Sequence, residues 1–320
     1  MEQNAIISQA NTLLTELLAS YDEKYNFGTV VSSIYDTAWI SMVSKKSSAY
    51  DWAFPECFEF LCREQAEDGG WGNPISLVER ITCTFVSLLA IKTHLRPPSI
   101  SQEERVKLQR CADSAADFIR ANLPTWNLDS LDTTLPMAME LWFPIVVARL
   151  EAEDVVFDIP GLDHLMQMRE EKLSRFPVEI LYQKHGLIQP SPLFTLEGFI
   201  GRVDFDRLSH QKVLGSMFTS PASTAVYLME CSEWDIDAEE YLRHAIEQSI
   251  IKNNRSVPTI FPTSIFDIDW VFSIFLDGGL NLKTLKSDAL SQLMSMILKG
   301  LDEQDGVIGA GLFEPDKSEH

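Results

Sequence analysis

Residues 65–72, Q-A-E-D-G-G-W-G, constrain the fold of this chain more than any other stretch. Gln65 ends a segment of helical periodicity, and an acidic turn with Asp68 leads into Gly69, Gly70 and Trp71. Glycine supplies the left-handed backbone that ends a helix. Tryptophan offers a large ring for packing and an indole N–H that needs a partner. The stretch therefore predicts a tight corner on which consecutive helices pack, with a structural rather than a catalytic role.

Helical periodicity dominates the rest of the chain. Apolar residues recur at three-to-four spacing in the segments 54–63, 79–93, 101–121, 137–152, 222–231, 238–251, 264–277 and 284–300. Glycine and proline separate these segments, and strand-like alternation never lasts beyond a few residues. We therefore predict an all-α fold of roughly ten to fourteen helices with short connections.

The corner is repeated in degenerate form. Residues 211–218 and 302–309 each place a glycine turn and a large apolar residue after an amphipathic segment. Such copies favour helices stacked around a ring. No period of about 34 to 47 residues persists, which disfavours tetratricopeptide, HEAT and ankyrin arrays.

The charge of the chain excludes several classes of function. Its 320 residues include 26 Lys and Arg but 47 Asp and Glu, which gives a net charge of −21. This charge opposes binding to nucleic acid and to anionic membranes. No apolar run reaches the roughly 18 residues of a membrane span. Because the first residues also lack the basic segment and apolar core of a signal peptide, we expect a cytoplasmic protein.

Five cysteines and six histidines are scattered along the chain. Their spacing does not match that of a zinc site. We expect buried free thiols in a reducing compartment and no metal site built from histidine or cysteine.

Several motifs, in one order along the chain, carry a family resemblance. Residues 33–39, which contain Tyr35, Asp36 and Trp39, resemble the S-x-Y-D-T-A-W signature of class II diterpene cyclases, the copalyl diphosphate and ent-kaurene synthases. The corner at 65–72 is similar to their Q-x-x-D-G-x-W-G repeat. Residues 196–198 match their L-E-G.

The resemblance continues through the second half of the chain. Ser220 and Pro221 open an element similar to the family's S-P-x-S-T-A. Residues 136–144 and 257–270 resemble the stretches P-x-G-F-E-x-x-F-P and V-P-x-x-x-P-x-x-x-F-E-x-x-W. Residues 270–280, W-V-F-S-I-F-L-D-G-G-L, resemble fungal rather than plant members of the family.

This resemblance implies a fold of two α/α-barrels, in which a γ domain is inserted in an incomplete second barrel, the β domain. It implies an N-terminal β-domain segment at residues 1–50, the γ domain at 51–257 and the start of the remaining β domain at 258–320. In the family, an aspartic acid of a D-x-D-D motif protonates the terminal double bond of geranylgeranyl diphosphate. Burial and neighbouring carboxylates keep such an acid protonated, and aromatic faces shelter the cation.

The 320 residues contain no D-x-D-D motif. Asp316 lies in D-K-S-E, where the lysine favours the ionised carboxylate. Asp267 and Asp269 lie in D-I-D-W, which matches the family's F-E-x-x-W. We favour a structural role for them, as negative charges near a helix N-terminus that suit the helix dipole. The class I motif D-D-x-x-D is absent too. We therefore expect the chain to be inactive as a cyclase on its own.

Two further family positions concern the substrate. Asp129 and Asp132 stand where the resemblance implies an acidic patch that helps to hold Mg²⁺ and the diphosphate, although a capping turn is the interpretation that we favour. In plant enzymes that form ent-copalyl diphosphate, a histidine and an asparagine hold the water that acts as base. Phe194 and Thr259 occupy those positions here, so the stereochemistry of a product is not predicted.

The resemblance thus implies the N-terminal part of a class II diterpene cyclase of terpenoid biosynthesis, an enzyme of the isomerase type. It implies Mg²⁺ as cofactor, geranylgeranyl diphosphate as substrate, and self-association through an exposed β-domain surface. Two alternatives stay open. One is a non-catalytic helical scaffold derived from that fold, which binds a partner chain. The other is an unrelated glycoside hydrolase of α/α-toroid fold, for which no spacing marks a pair of carboxylates.

Overall fold

The structure is a computed structural model that describes residues 2–19, 32–48, 50–126, 136–184, 189–261, 264–285 and 287–302. Within these residues there is no strand, only isolated β-bridges such as that between Ser32 and Pro258. The prediction of an all-α fold is therefore confirmed. The described α-helices are α1 (Glu2–Ala19), α2 (Ile34–Ser41), α3 (Pro55–Glu64), α4 (Leu77–Leu95), α5 (Gln102–Asn122), α6 (Met139–Glu151), α7 (Leu162–Arg175), α8 (Pro221–Glu230), α9 (Ile236–Ile246), α10 (Ser264–Asp277) and α11 (Asp288–Asp302).

Short helices of other kinds connect these elements. The described 3-10 helices are Leu123–Thr125, Val178–Tyr182, Ser191–Phe199, Phe205–Arg207, Ser209–Gln211 and Leu282–Thr284. A π-helical turn, Glu247–Ile251, extends α9.

Side-chain caps fix where five of the helices begin. The caps of α2, α4, α5, α8 and α9 are Ser33, Ser76, Ser101, Ser220 and Asp235. Each accepts a hydrogen bond from the backbone N–H three residues later, which satisfies a donor that has no partner within its helix.

The described residues form two compact units. In the smaller unit, which holds α1, α10 and α11, Ala10 and Leu14 of α1 share a core with Ile268, Phe272 and Leu293. The larger unit comprises residues 32–184 and 190–259, with the gaps given above.

The inner layer of the larger unit is a closed ring. Its members α2, α4, α6, the 3-10 segment Ser191–Phe199 and α8 contact one another in turn, and α8 returns to α2. The outer helices α3, α5, α7 and α9 each pack on the inner helix that precedes them. The inner helices are buried on most sides, whereas the outer ones bury a single face, as expected for two layers around one core. This is an α/α-barrel.

Residues 32–48 and 50 lie in the larger unit, because α2 is part of its inner ring. The domain bounds 1–50, 51–257 and 258–320 stay a prediction. The assignment of the two units to the β and γ domains of the family stays a prediction.

Candidate functional site

The corner at residues 65–72 joins three helices. Gln65, at the end of α3, donates through Nε2 to the carbonyl oxygens of Gly69 and Cys111, each at 3.0 Å. Asp68 pairs with Arg80 of α4 at 2.6 Å, and the Arg80 guanidinium lies 4.6 Å from the ring centre of Phe118 in α5. Hydrogen bonds and ring packing thus tie the corner to α4 and α5, and the carboxylate of Asp68 is paired with an arginine.

Trp71 lies at the centre of this corner. It is 1% exposed, and its indole Nε1 donates to the Leu61 carbonyl at 2.8 Å. Its backbone N–H donates to Thr84 Oγ1 at 3.0 Å. Gly69 has φ +88°, and a Cβ there would overlap the Ser114 carbonyl of α5. Glycine is therefore required by both the backbone conformation and the close approach of α5.

The second copy of the corner has the same plan. Gln211 Nε2 donates to the carbonyl oxygens of Leu181 and Gln183 at 2.9 and 2.7 Å. Gly215 has φ +76°, and a Cβ there would overlap a backbone carbonyl of α9. The Met217 N–H donates to Thr224 Oγ1 at 2.9 Å, as that of Trp71 does to Thr84. The third copy, at 302–309, lies outside the described residues apart from residue 302.

The family motifs meet in a buried cluster on the inner ring, here called the acid cluster: Tyr35, Asp36, Glu197 and Ser223. The Tyr35 hydroxyl donates to Glu197 Oε1 at 2.7 Å. Ser223 Oγ donates to Glu197 Oε2 at 3.2 Å and accepts from the Leu196 N–H at 3.1 Å. The cluster thus links α2 to α8 and to residues 191–199.

Asp36 binds the beginning of α8. Its Oδ1 accepts from the Ala222 N–H at 3.1 Å, next to the cap formed by Ser220 and to Pro221 at the first helical position. A carboxyl group here satisfies a backbone donor that would otherwise have no partner. Asp36 is therefore a second cap for a helix 186 residues away.

Burial perturbs both carboxyl groups. Asp36 is 1% exposed and Glu197 is 2% exposed. Burial raises the pKa of Asp36 from 3.8 to about 8, although the Ala222 N–H and the nearby hydroxyls of Ser33 and Thr259 lower it. Burial raises the pKa of Glu197 to about 7, against hydrogen bonds from Tyr35 and Ser223. Both groups can therefore be neutral acids near neutral pH.

The aromatic members of the motifs pack around this cluster. The Tyr35 ring lies 4.7 Å from that of Trp142 and edge-on to that of Trp39. Trp39 is fully buried. These residues shape the core of the larger unit.

Of the predicted acids, the structure describes only Asp267 and Asp269. Asp267 and Asp269 lie in the first half of α10, in the smaller unit. Asp269 is exposed, and partial desolvation raises the pKa of its carboxyl. Asp129, Asp132 and Asp316 lie outside the described residues. Among the residues that the structure describes, no group of three or more His, Cys, Asp or Glu could hold a metal ion.

The two positions of the plant base water both lie in the larger unit. The Phe194 ring contacts that of Phe218 edge-on, with centres 6.1 Å apart. The Thr259 hydroxyl lies near Asp36 and lowers the pKa of that carboxyl.

Sequence reasoning missed Arg169. This side chain of α7 is buried and donates to the carbonyl oxygens of Leu141 and Gly198, at 3.2 and 2.8 Å. It lies between Leu165 and Leu173 at helical spacing, on the buried face of α7. An arginine at an apolar position of a helical stripe was the available signal.

Known proteins of similar fold and sequence are terpene cyclases. No protein-family model matches the sequence. The chain is similar to solved terpene cyclases. One is ent-copalyl diphosphate synthase from Arabidopsis thaliana, solved in complex with an aza analogue of geranylgeranyl thiolodiphosphate. The two align with a TM-score of 0.72 and 24% identity, over 92% of this chain and 39% of that one. Abietadiene synthase from Abies grandis aligns with a TM-score of 0.72 and 22% identity, over 92% of this chain and 36% of that one. The fold is therefore the helical fold of terpene cyclases.

In sequence, the chain is similar to fungal diterpene cyclases. The chain is 35% identical to copalyl diphosphate synthase of Talaromyces verruculosus over 305 residues, which cover 94% of this chain and 30% of that protein. It is 35% identical to bifunctional ent-kaurene synthase of Gibberella fujikuroi over 315 residues, which cover 96% of this chain and 32% of that protein. The resemblance to class II diterpene cyclases is thus confirmed, and the chain spans about a third of the length of these relatives.

In the part of the chain that the structure describes, no helix has both the length and the apolar character needed to cross a membrane.

Proposed function

We propose that this chain forms part of a class II diterpene cyclase, which converts geranylgeranyl diphosphate into a copalyl-type diphosphate in the cytoplasm. The observation that carries the proposal is the 35% identity to a copalyl diphosphate synthase along 94% of the chain. The larger unit would supply a preformed wall of the cyclisation site, since its ring is closed and internally capped. Rigid walls that exclude water are what a carbocation reaction requires.

The proposal assigns proton donation to residues outside this sequence. The 320 residues contain no D-x-D-D motif, and the acids of α10 have no described cluster around them. Asp36 and Glu197 are buried and are committed to hydrogen bonds within the ring.

Mg²⁺ belongs to the proposal through Asp129 and Asp132. The residues that the structure describes do not form a site that fits it.

The test compares two proteins in one assay. The 320-residue protein, and the same protein joined to the D-x-D-D-bearing region of a relative, are incubated with geranylgeranyl diphosphate and Mg²⁺. Products are dephosphorylated and analysed for copalol or a related bicyclic alcohol. We expect product from the joined protein alone. Robust product from the 320 residues, abolished by Asp269→Ala or Asp316→Ala, would contradict the assignment of the acid.

We also propose self-association through the smaller unit. Trp270, Ile274 and Leu298 are at least half exposed on α10 and α11, and apolar surface of this kind promotes association. Sedimentation of the protein and of Trp270→Glu tests this, with a shift to monomer expected for the variant.

A joined protein that folds but binds no substrate would favour the alternative of a non-catalytic scaffold.

A further inference from the structure

We propose that Asp36 and Glu197 form a proton-controlled joint. The joint holds α2 against α8 and residues 191–199 while both carboxyl groups are protonated, and it weakens when they ionise. This inference concerns the folding of the larger unit and does not depend on the proposed activity.

The geometry concentrates two acids at one crossing of the inner ring. Asp36 binds the first turn of α8 through the Ala222 N–H. Glu197 binds α2 through Tyr35 and α8 through Ser223. Both carboxyl groups are almost completely buried. Each therefore fixes a contact between elements that are far apart in sequence, and neither can be hydrated without opening the ring.

The groups that most strongly perturb the two carboxyls include no cation. Besides burial, Glu197 raises the pKa of Asp36, and Asp36 in turn raises the pKa values of Tyr35 of α2, Cys83 of α4 and Tyr241 of α9. Arg169 of α7 donates to the Gly198 carbonyl, next to Glu197 in the chain, but its guanidinium is also engaged by the Leu141 carbonyl and by Glu170. From α8, the cluster receives the Ser223 hydroxyl.

One cation of the ring does approach α2, but it is engaged elsewhere. Arg149 of α6 lies 5.8 Å from the centre of the Trp39 ring and pairs with Glu230 at 2.6 Å. An ionised pair at Asp36 and Glu197 would therefore be two buried like charges. Such pairs are avoided by holding protons.

The sign of the pH effect follows from linkage. In the unfolded chain both groups ionise near their usual values, about 4. In the folded protein their pKa values are raised, to about 8 for Asp36 and about 7 for Glu197. Between these limits the folded state binds more protons than the unfolded state, so the contribution of the joint to stability is complete below about pH 4 and is lost as the pH rises towards 8.

The first test compares urea unfolding of the wild type with that of Asp36→Asn/Glu197→Gln across this window. Both replacements keep an acceptor oxygen and cannot ionise. Relative to the double variant, the wild-type unfolding constant should increase at least tenfold per pH unit between about pH 5.5 and 7, because the folded state there holds between one and two extra protons, and it should level off above about pH 9. Glu240→Gln, on the exposed face of α9, should run parallel to the wild type.

Hydrogen exchange locates the effect. The amides of Ala222 and Leu196 should lose protection between pH 6 and pH 9 in the wild type and keep it in the double variant. If the double variant does not fold, the single variants and an infrared measurement on the wild type decide the question. At pH 6 the wild type should show the carbonyl stretch of a protonated carboxylic acid, shifted by ¹³C-aspartate labelling. A wild-type protein without that band, or a stability ratio that changes less than twofold over the window, would overturn the proposal.

Discussion

The backbone of Gly69 lies directly against the Ser114 carbonyl of α5, with no room for a side chain between them. Replacing Gly69 by alanine should therefore destabilise the protein by about 2–4 kcal/mol, from left-handed strain together with the overlap. Urea unfolding measures this. Gly201 is the matched control, because it has φ +78° and open space around its Cβ position. Gly201→Ala should cost only about 1–2 kcal/mol. Equal costs at the two positions would mean that α5 does not approach the corner closely.

Trp71 anchors the same corner through its ring and its indole N–H. Trp71→Ala should destabilise by roughly 3–5 kcal/mol, because a fully buried ring is removed and the Leu61 carbonyl loses its donor. Trp71→Phe keeps most of the packing, so it should cost less. Thermal and urea unfolding give both values. A loss below about 1 kcal/mol for the alanine variant would show that the corner contributes little to stability.

Each of the two copies of the corner has a threonine that accepts a hydrogen bond from a backbone N–H. Thr84→Val and Thr224→Val should each cost about 1–3 kcal/mol, because each leaves a buried N–H of Trp71 or Met217 without its acceptor. Thr82→Val is the control, since Thr82 bonds only to carbonyls of its own helix. Similar losses at 84 and 224, with a smaller one at 82, are expected in urea unfolding. A loss confined to one of the two copies would refute their structural equivalence.

Arg169 ties α7 to α6 and to residues 191–199. Arg169→Met should destabilise by about 2–4 kcal/mol, because two buried carbonyl oxygens lose a charged donor. Arg175→Met removes an exposed arginine of the same helix, whose pair with Glu171 spans 4.0 Å. It should cost at most about 0.5 kcal/mol. Circular dichroism melts of the two variants, run together, compare these effects. Arg169→Met melting like Arg175→Met would exclude the buried tie.

The sequence predicts the corner well because its determinants are local. Two glycines, a tryptophan and an amphipathic segment specify a helix end whatever lies beyond it, and the second copy could be found from Gln211 and Gly215 for the same reason. Asp36 is different. The sequence marks it only as part of a motif, whereas its partner is the first turn of α8, far along the chain. No local pattern encodes such a pairing.

The position of α2 shows the same limit. Its apolar residues complete the inner ring with α4 and α8, and the sequence of the helix alone does not indicate those partners. A hydrophobic helix predicts burial and not the helices that bury it. The raised pKa values of Asp36 and Glu197 likewise depend on burial that arises only when the ring closes.

We propose that these residues form one part of a diterpene cyclase whose catalytic acid lies elsewhere. The most direct measurement is the rate of copalol formation, after dephosphorylation, by the joined protein and two variants. Replacing the aspartates of the joined D-x-D-D motif by asparagine should lower the rate by about 10²- to 10⁴-fold, whereas Asp269→Ala should leave it within about twofold. A rate that survives the first change and is lost with the second would contradict the account.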